Sequence, residues 1–173
     1  MNDPYLTSLI RDIPDFPKKG IMFKDISGLL ASAKARKELT AMLAHPYKNQ
    51  QIDVVVGVES RGFLFGMLLA DALDARFVMV RKPGKLPGKV LRQEYELEYG
   101  TDVIEMQYDA IQSTDKVLVH DDVLATGGTA KATCQLIEST GATIAGYSFI
   151  IDLTFLNGAN RLGEYPVHSV LSY

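Results

Sequence analysis

The chain has 173 residues, of which 47% are hydrophobic and 23% charged, with a formal net charge of −3. This length and composition suit one folded domain with its own core and exclude a disordered chain. The negative balance gives no support to broad nucleic-acid binding, and no apolar run reaches the ~18 residues of a membrane span.

Met1-Asn2-Asp3-Pro4 shows no basic segment followed by an apolar one, so a soluble cytoplasmic protein is expected. Asp3-Pro4 opens a short helix, with proline at its first position and Tyr5, Leu6, Leu9 and Ile10 on one face. Residues 13–20, broken by Pro14 and Pro17, read as a loop. Ile21-Met22-Phe23-Lys24-Asp25 is a short apolar packing segment. Ser32 caps a helix running to about Ala44, with Ala35, Leu39, Met42 and Leu43 on one side, and His45-Pro46 ends it. Val54 to Val58 is a buried strand, Phe63 to Leu73 a helix, and Phe77 to Val80 the next strand. This spacing is a βαβ unit and predicts a parallel sheet. Glu59-Ser60-Arg61 and Arg81-Lys82 follow those strands, at the edge where parallel sheets bind ligands.

Pro83 to Lys89 holds two prolines, two glycines and two lysines, and is expected to be exposed and mobile. From Val90 to Gln107, charged residues alternate with apolar or aromatic ones, as in a hairpin turning near Gly100-Thr101-Asp102. Val117-Leu118-Val119 is an apolar strand, and Asp121-Asp122 fall at its expected end. Thr126-Gly127-Gly128-Thr129 then makes a tight turn, and Ala130 to Ile137 a helix closed by Gly141. Cys134, the one cysteine in the chain, sits on this helix, and its expected role is packing. A strand from Thr143 to Ile151, a turn or short helix from Asn157 to Gly163, and a last strand from Val167 to Leu171 complete the chain.

The strand–loop–helix around Asp121 carries the chemistry. Free amides and a helix N-terminus favour an anion, while two carboxylates beside them accept hydrogen bonds from sugar hydroxyls. A ligand with a ribose and a phosphate follows. The chain has no Gly-Lys-Ser/Thr after a glycine loop and no GxGxxG, which argues against a P-loop and a dinucleotide site.

This stretch resembles the phosphoribosyl pyrophosphate motif of the type I phosphoribosyltransferases. Three further segments are similar to the adenine-specific branch of that family. They are residues 16–26 (Phe-Pro-Lys-Lys-Gly-Ile-Met-Phe-Lys-Asp-Ile), residues 60–66 (Ser-Arg-Gly-Phe-Leu-Phe-Gly), and Arg81 to Gly88 with Tyr95 to Gly100. The resemblance implies an α/β fold: a central, mostly parallel sheet flanked by helices, in a single domain over 1–173. Residues 1–30 would form a helix and a hood over the base, and residues 82–107 a mobile catalytic hairpin.

The implied reaction joins adenine to 5-phosphoribosyl 1-pyrophosphate (PRPP), with Mg²⁺, giving AMP and pyrophosphate. The resemblance assigns the 5-phosphate to Ala125, Thr126, Gly127, Gly128 and Thr129, and the ribose hydroxyls to Asp121 and Asp122. It assigns the pyrophosphate to Glu59, Ser60, Arg61, Arg81, Lys82 and Lys85, with part of this basic segment reaching across a homodimer interface. Ile21, Met22, Phe23 and Lys24 would form the adenine pocket, with Val123 on its other side. Glu98, with Arg61, would be catalytic; the residues alone do not choose among Glu94, Glu96 and Glu98. Lys24 departs from the family's usual arginine, and lysine lacks the planar fork for a bidentate contact. His120, at a normally apolar place, is expected to pack or hydrogen-bond beneath the site. Competing readings are a phosphoribosyltransferase for another base and a ligand-sensing regulator that no longer catalyses. Neither membrane nor nucleic acid is an expected partner.

Overall fold

A computed structural model describes residues 2–96 and 100–173. Five parallel strands form the central sheet: β3 (Val54–Val58), β4 (Arg76–Val80), β7 (Lys116–Leu124), β8 (Thr143–Asp152) and β9 (Val167–Ser172), in the order β4-β3-β7-β8-β9. β3 is buried along its whole length. That requires apolar side chains on both faces, which the valine run supplies; full burial of such a side chain contributes about 1.5–3 kcal/mol.

Helices α3 (Ala33–Ala44) and α4 (Gly62–Ala72) cover one face, and their core includes Leu39, Leu43, Phe65, Leu69, Val55 and Leu118. Helix α5 (Gly128–Glu138) and the hairpin of β5 (Val90–Glu96) and β6 (Thr101–Gln107) cover the other, around Val54, Val56, Ile104, Met106, Val119 and Ile137. Cys134 lies buried in this second core, where burial raises its thiol to about 11, as packing and not nucleophilic chemistry requires. The short helices α1 (Pro4–Ser8) and α2 (Ser27–Ala31) pack on the first core. Asp3 caps α1 by accepting from the Leu6 amide, and Ser32 caps α3 by accepting from Ala35.

Several expectations change. Ile13 and Pro14 are not loop: β1 (Arg11–Pro14) pairs antiparallel with β2 (Met22–Asp25), and an Arg11–Asp25 ion pair at 2.5 Å joins the two strands. Pro14 sits at a strand end, where its missing N–H breaks no ladder. Met42 is 37% exposed, because it lies at the margin of the stripe set by Ala35, Leu39 and Leu43. The hairpin pairs Glu96 with Thr101, so Thr101 and Asp102 belong to β6 and not to the turn. β7 continues through Leu124, which places Asp121 and Asp122 inside the strand and not after it.

Candidate functional site

The carboxyl ends of β3 and β7 face the β1–β2 hairpin across a cavity of about 480 Å³. Ile21, Met22, Phe23 and Lys24 form one wall; Glu59, Ser60 and Arg61 lie after β3; Asp121, Asp122, Val123 and Ala125 come from β7 and its exit. All of these were expected at the site. Leu153, just after β8, completes the lining; nothing in its local sequence signals this role. Phe16 braces Phe23 edge-on, with ring centroids 5.0 Å apart, and the Arg61 guanidinium lies 4.5 Å over the Phe23 ring.

A smaller recess of about 80 Å³ adjoins this cavity and shares Asp121, Val123 and Ala125 with it. Thr126, Gly127, Gly128 and Thr129 form its loop. α5 begins at Gly128, two residues before the expected start, so the loop runs straight into the helix N-terminus. The first N–H groups there have no partner within the helix, and Gly128, Thr129 and Ala130 line the recess. Gly127 adopts φ +79°, and a Cβ on it would lie 2.5 Å from the Gly158 carbonyl oxygen. Gly158 backs the loop equally closely: its own Cβ would meet the Ala125 carbonyl at 2.1 Å. The sequence marks Gly158 only as part of a turn.

The acidic pair is electrostatically strained. Burial, then the neighbouring Asp122, holds the Asp121 carboxyl well above the ordinary carboxylate range. Burial also raises Asp122, although Arg61 opposes this. Arg61 Nε stands 2.7 Å from Asp122 Oδ2, but not along a hydrogen-bond direction, so the contact is an ion pair. Asp121 Oδ1 accepts from the Asp122 amide at 2.8 Å. Gly62 makes this approach possible, since a Cβ there would sit 2.8 Å from Asp121 Oδ1.

The basic residues after β4 do not line the cavity; they are tied to its rim. Arg81 donates to Glu59 Oε1 at 2.7 Å, and the Lys82 amide to Glu59 Oε2 at 2.8 Å. The Arg81 hydrogen bond is the main reason that the Glu59 carboxyl lies below its usual range. The peptide between Glu59 and Ser60 is cis. Lys85 is exposed, and its carbonyl accepts from Arg81. Glu105, 1% exposed, accepts from the Gly84 amide and so holds the Pro83-Gly84 turn to β6.

A polar chain that the sequence did not suggest links this segment to the phosphate loop. Thr129 Oγ1 donates to the Tyr95 hydroxyl at 3.2 Å, Lys82 Nζ donates to the same hydroxyl at 3.3 Å, and both Lys82 and Tyr95 donate to Asp102 Oδ2. Burial works to lower the Lys82 ammonium, but Asp102 and Tyr95 outweigh it and raise the group. The alternation of β5 does leave Glu94 and Glu96 exposed, as expected of solvated positions. Glu98 and Tyr99, expected in the catalytic loop, lie outside the described residues. His120 is fully buried beside α4, and burial depresses its ring to about 4, so it is neutral packing beneath the site.

The arrangement is an apolar slot, an acidic pair and an anion cradle in one continuous line, as a transferase acting on a sugar phosphate needs. Residues 25–152 match the family model described as the phosphoribosyl transferase domain. An adenine phosphoribosyltransferase from Flavobacterium johnsoniae is 56% identical over 168 residues, covering 97% of this chain and 99% of that protein. The crystal structure of adenine phosphoribosyltransferase from Rhodothermus marinus superposes with a TM-score of 0.94 at 51% identity, covering 98% of this chain and 97% of that one. The Saccharomyces cerevisiae enzyme, in complex with adenine and an imino-altritol bisphosphate, gives a TM-score of 0.91 at 40% identity, covering 96% and 97%. The fold is that of the type I phosphoribosyltransferases. Within that class, the chain belongs to the adenine phosphoribosyltransferase family.

Proposed function

We propose that this protein transfers the phosphoribosyl group of PRPP to adenine, releasing pyrophosphate and forming AMP, and so serves purine salvage. The observation that carries the reading is the continuity of slot, acidic pair and anion cradle, which share Asp121, Val123 and Ala125. Ile21, Met22 and Phe23 cover one face of the base and Val123 the other, while the β2 backbone reads its edge. The 5-phosphate sits in the Ala125–Thr129 loop, held by amides and two hydroxyls. Asp121 and Asp122 accept from the ribose hydroxyls.

In the reaction the C1–O bond to pyrophosphate breaks, and positive charge builds on the ribose ring as an adenine nitrogen bonds to C1. Asp122 favours that charge, while Asp121, whose carboxyl burial holds above the ordinary range, serves the ribose as a hydrogen-bond partner. Arg61, Arg81, Lys82 and Lys85 favour the departing pyrophosphate, with the Glu59-Ser60 backbone beside it. Most of the rate enhancement then comes from positioning and fixed charges. Glu98 moves the proton of the adenine imidazole ring as general acid or base.

Mg²⁺ would enter bound to PRPP and would supply charge neutralisation on the pyrophosphate, beside the acidic pair Asp121-Asp122. The protein works as a homodimer, for which exposed Leu64 and Met67 on α4 and Met79 on the edge strand β4 offer a surface. Its compartment is the cytoplasm, where a chain with a single cysteine keeps its thiol reduced. No helix among the described residues is long and apolar enough to cross a membrane.

The test is turnover. Purified protein with Mg²⁺, PRPP and adenine releases pyrophosphate, and Glu98→Ala lowers kcat by roughly 10²-fold or more while PRPP affinity stays within about twofold. No pyrophosphate from the wild type would favour a sensor. Equal loss of turnover and PRPP binding would make Glu98 structural.

A further inference from the structure

Lys24 lines the base slot, yet its charge does not enter it. Its side chain is only 9% exposed. Nζ stands 2.7 Å from Asp12 Oδ1, the register partner of Lys24 on β1, and 3.7 Å from the centroid of the Tyr173 ring. Tyr173 is itself held firmly. Its amide donates to the Asp152 carbonyl, and its carbonyl accepts from the amide and hydroxyl of Thr154, at 2.8–2.9 Å. Between those two residues lies Leu153, part of the opposite wall of the slot. The Lys24–Tyr173 contact therefore spans the two walls.

We propose that Tyr173 and Asp12 are positioning residues for base recognition: they hold the Lys24 ammonium behind β2, so the slot is faced by the lysine stem and the β2 backbone. The inference rests on the reading that this slot takes adenine. Its physical basis is the attraction of an ammonium to an aromatic face, which strengthens as the charge loses water. Released from the clamp, the ammonium would swing toward the slot with its hydration. It would then offer a donor to the carbonyl oxygen of an oxopurine, at the position where adenine presents an amino group. The clamp thus sets the width of the slot and favours an aminopurine over an oxopurine.

The experiment compares KM for adenine, KM for PRPP and the adenine-to-hypoxanthine ratio of kcat/KM. Tyr173→Ala raises KM for adenine about fivefold or more, leaves KM for PRPP unchanged and narrows the ratio. Tyr173→Phe, which keeps the ring face, behaves as wild type. On a Lys24→Met background, which keeps the stem without the charge, Tyr173→Ala has no further effect on adenine KM. The proposal is overturned if Tyr173→Ala leaves adenine KM unchanged, if it raises both KM values alike, or if its effect persists on the Lys24→Met background. A wild type that does not use adenine would instead refute the parent reading, and that is seen before any variant is made.

Discussion

Gly127→Ala lowers kcat/KM for PRPP by about a hundredfold or more, with the loss in PRPP binding. Two costs combine. A side chain at φ +79° is strained wherever it sits, and the added Cβ meets the Gly158 carbonyl at 2.5 Å. The obstacle is backbone, so it cannot rotate away, and the loop must open. Opening it turns the amides from the recess proposed for the 5-phosphate. Gly158→Ala, whose Cβ would press on the Ala125 carbonyl, gives the same phenotype from outside the motif. Gly163→Ala is the control: its φ is +71°, but no atom lies within 4 Å of the added carbon. It pays local strain and keeps PRPP affinity. Titration of PRPP into the three variants checks the set. Wild-type affinity in Gly127→Ala would remove the phosphate cradle from the account.

The acidic pair gives the second large effect, with opposite signs for two neighbouring substitutions. Asp121→Asn raises stability at pH 7 by roughly 0.5–2 kcal/mol while cutting turnover, the usual relation when a strained functional group is relaxed. Arg61→Ala lowers stability by about 2 kcal/mol, because it leaves Asp122, only 6% exposed, without its cation. A broken buried pair costs more than this, but Arg61 is one-third exposed and solvent screens part of the interaction. The pH dependence follows from the raised Asp121 carboxyl. Its folded form keeps a proton that the unfolded chain gives up near pH ~4. Its contribution is therefore complete below that pH and is lost as pH rises through the folded value. Asp121→Asn gains most over wild type at the upper end of that window. Melting curves of both variants and wild type from pH 4 to 8 read this difference directly. A pH-independent gap between Asp121→Asn and wild type would show that Asp121 is not held protonated by the fold.

The elements that could be read ahead share one property: their signal is local. The Val54–Val58 run, the Ser32 cap and the alternation of β5 each declare themselves within a few residues, and each forms as expected. The acidic pair and glycine loop were legible because anion binding needs unobstructed amides at a helix start. What escaped was set by tertiary approach. β7 passes its polar residues because β8 pairs with it as far as Leu124–Asp152, which no local propensity predicts. Gly158, Leu153 and Tyr173 matter through residues distant in sequence. Tyr95 and Asp102 read as hairpin positions, and only the packing of β5 on α5 brings the Tyr95 hydroxyl to Thr129. Lys24 was legible as a pocket residue, but not that its charge is turned to Asp12.

The central claim is that the slot between β2 and the exit of β7 is an adenine site. Adenine, hypoxanthine, guanine, xanthine and orotate are compared side by side as acceptors with PRPP and Mg²⁺, by pyrophosphate release. The account predicts that kcat/KM for adenine exceeds that for every other base by on the order of 10² or more, since an unmatched polar edge in the slot is left unpaired. Equal use of another base, or preference for it, would contradict it.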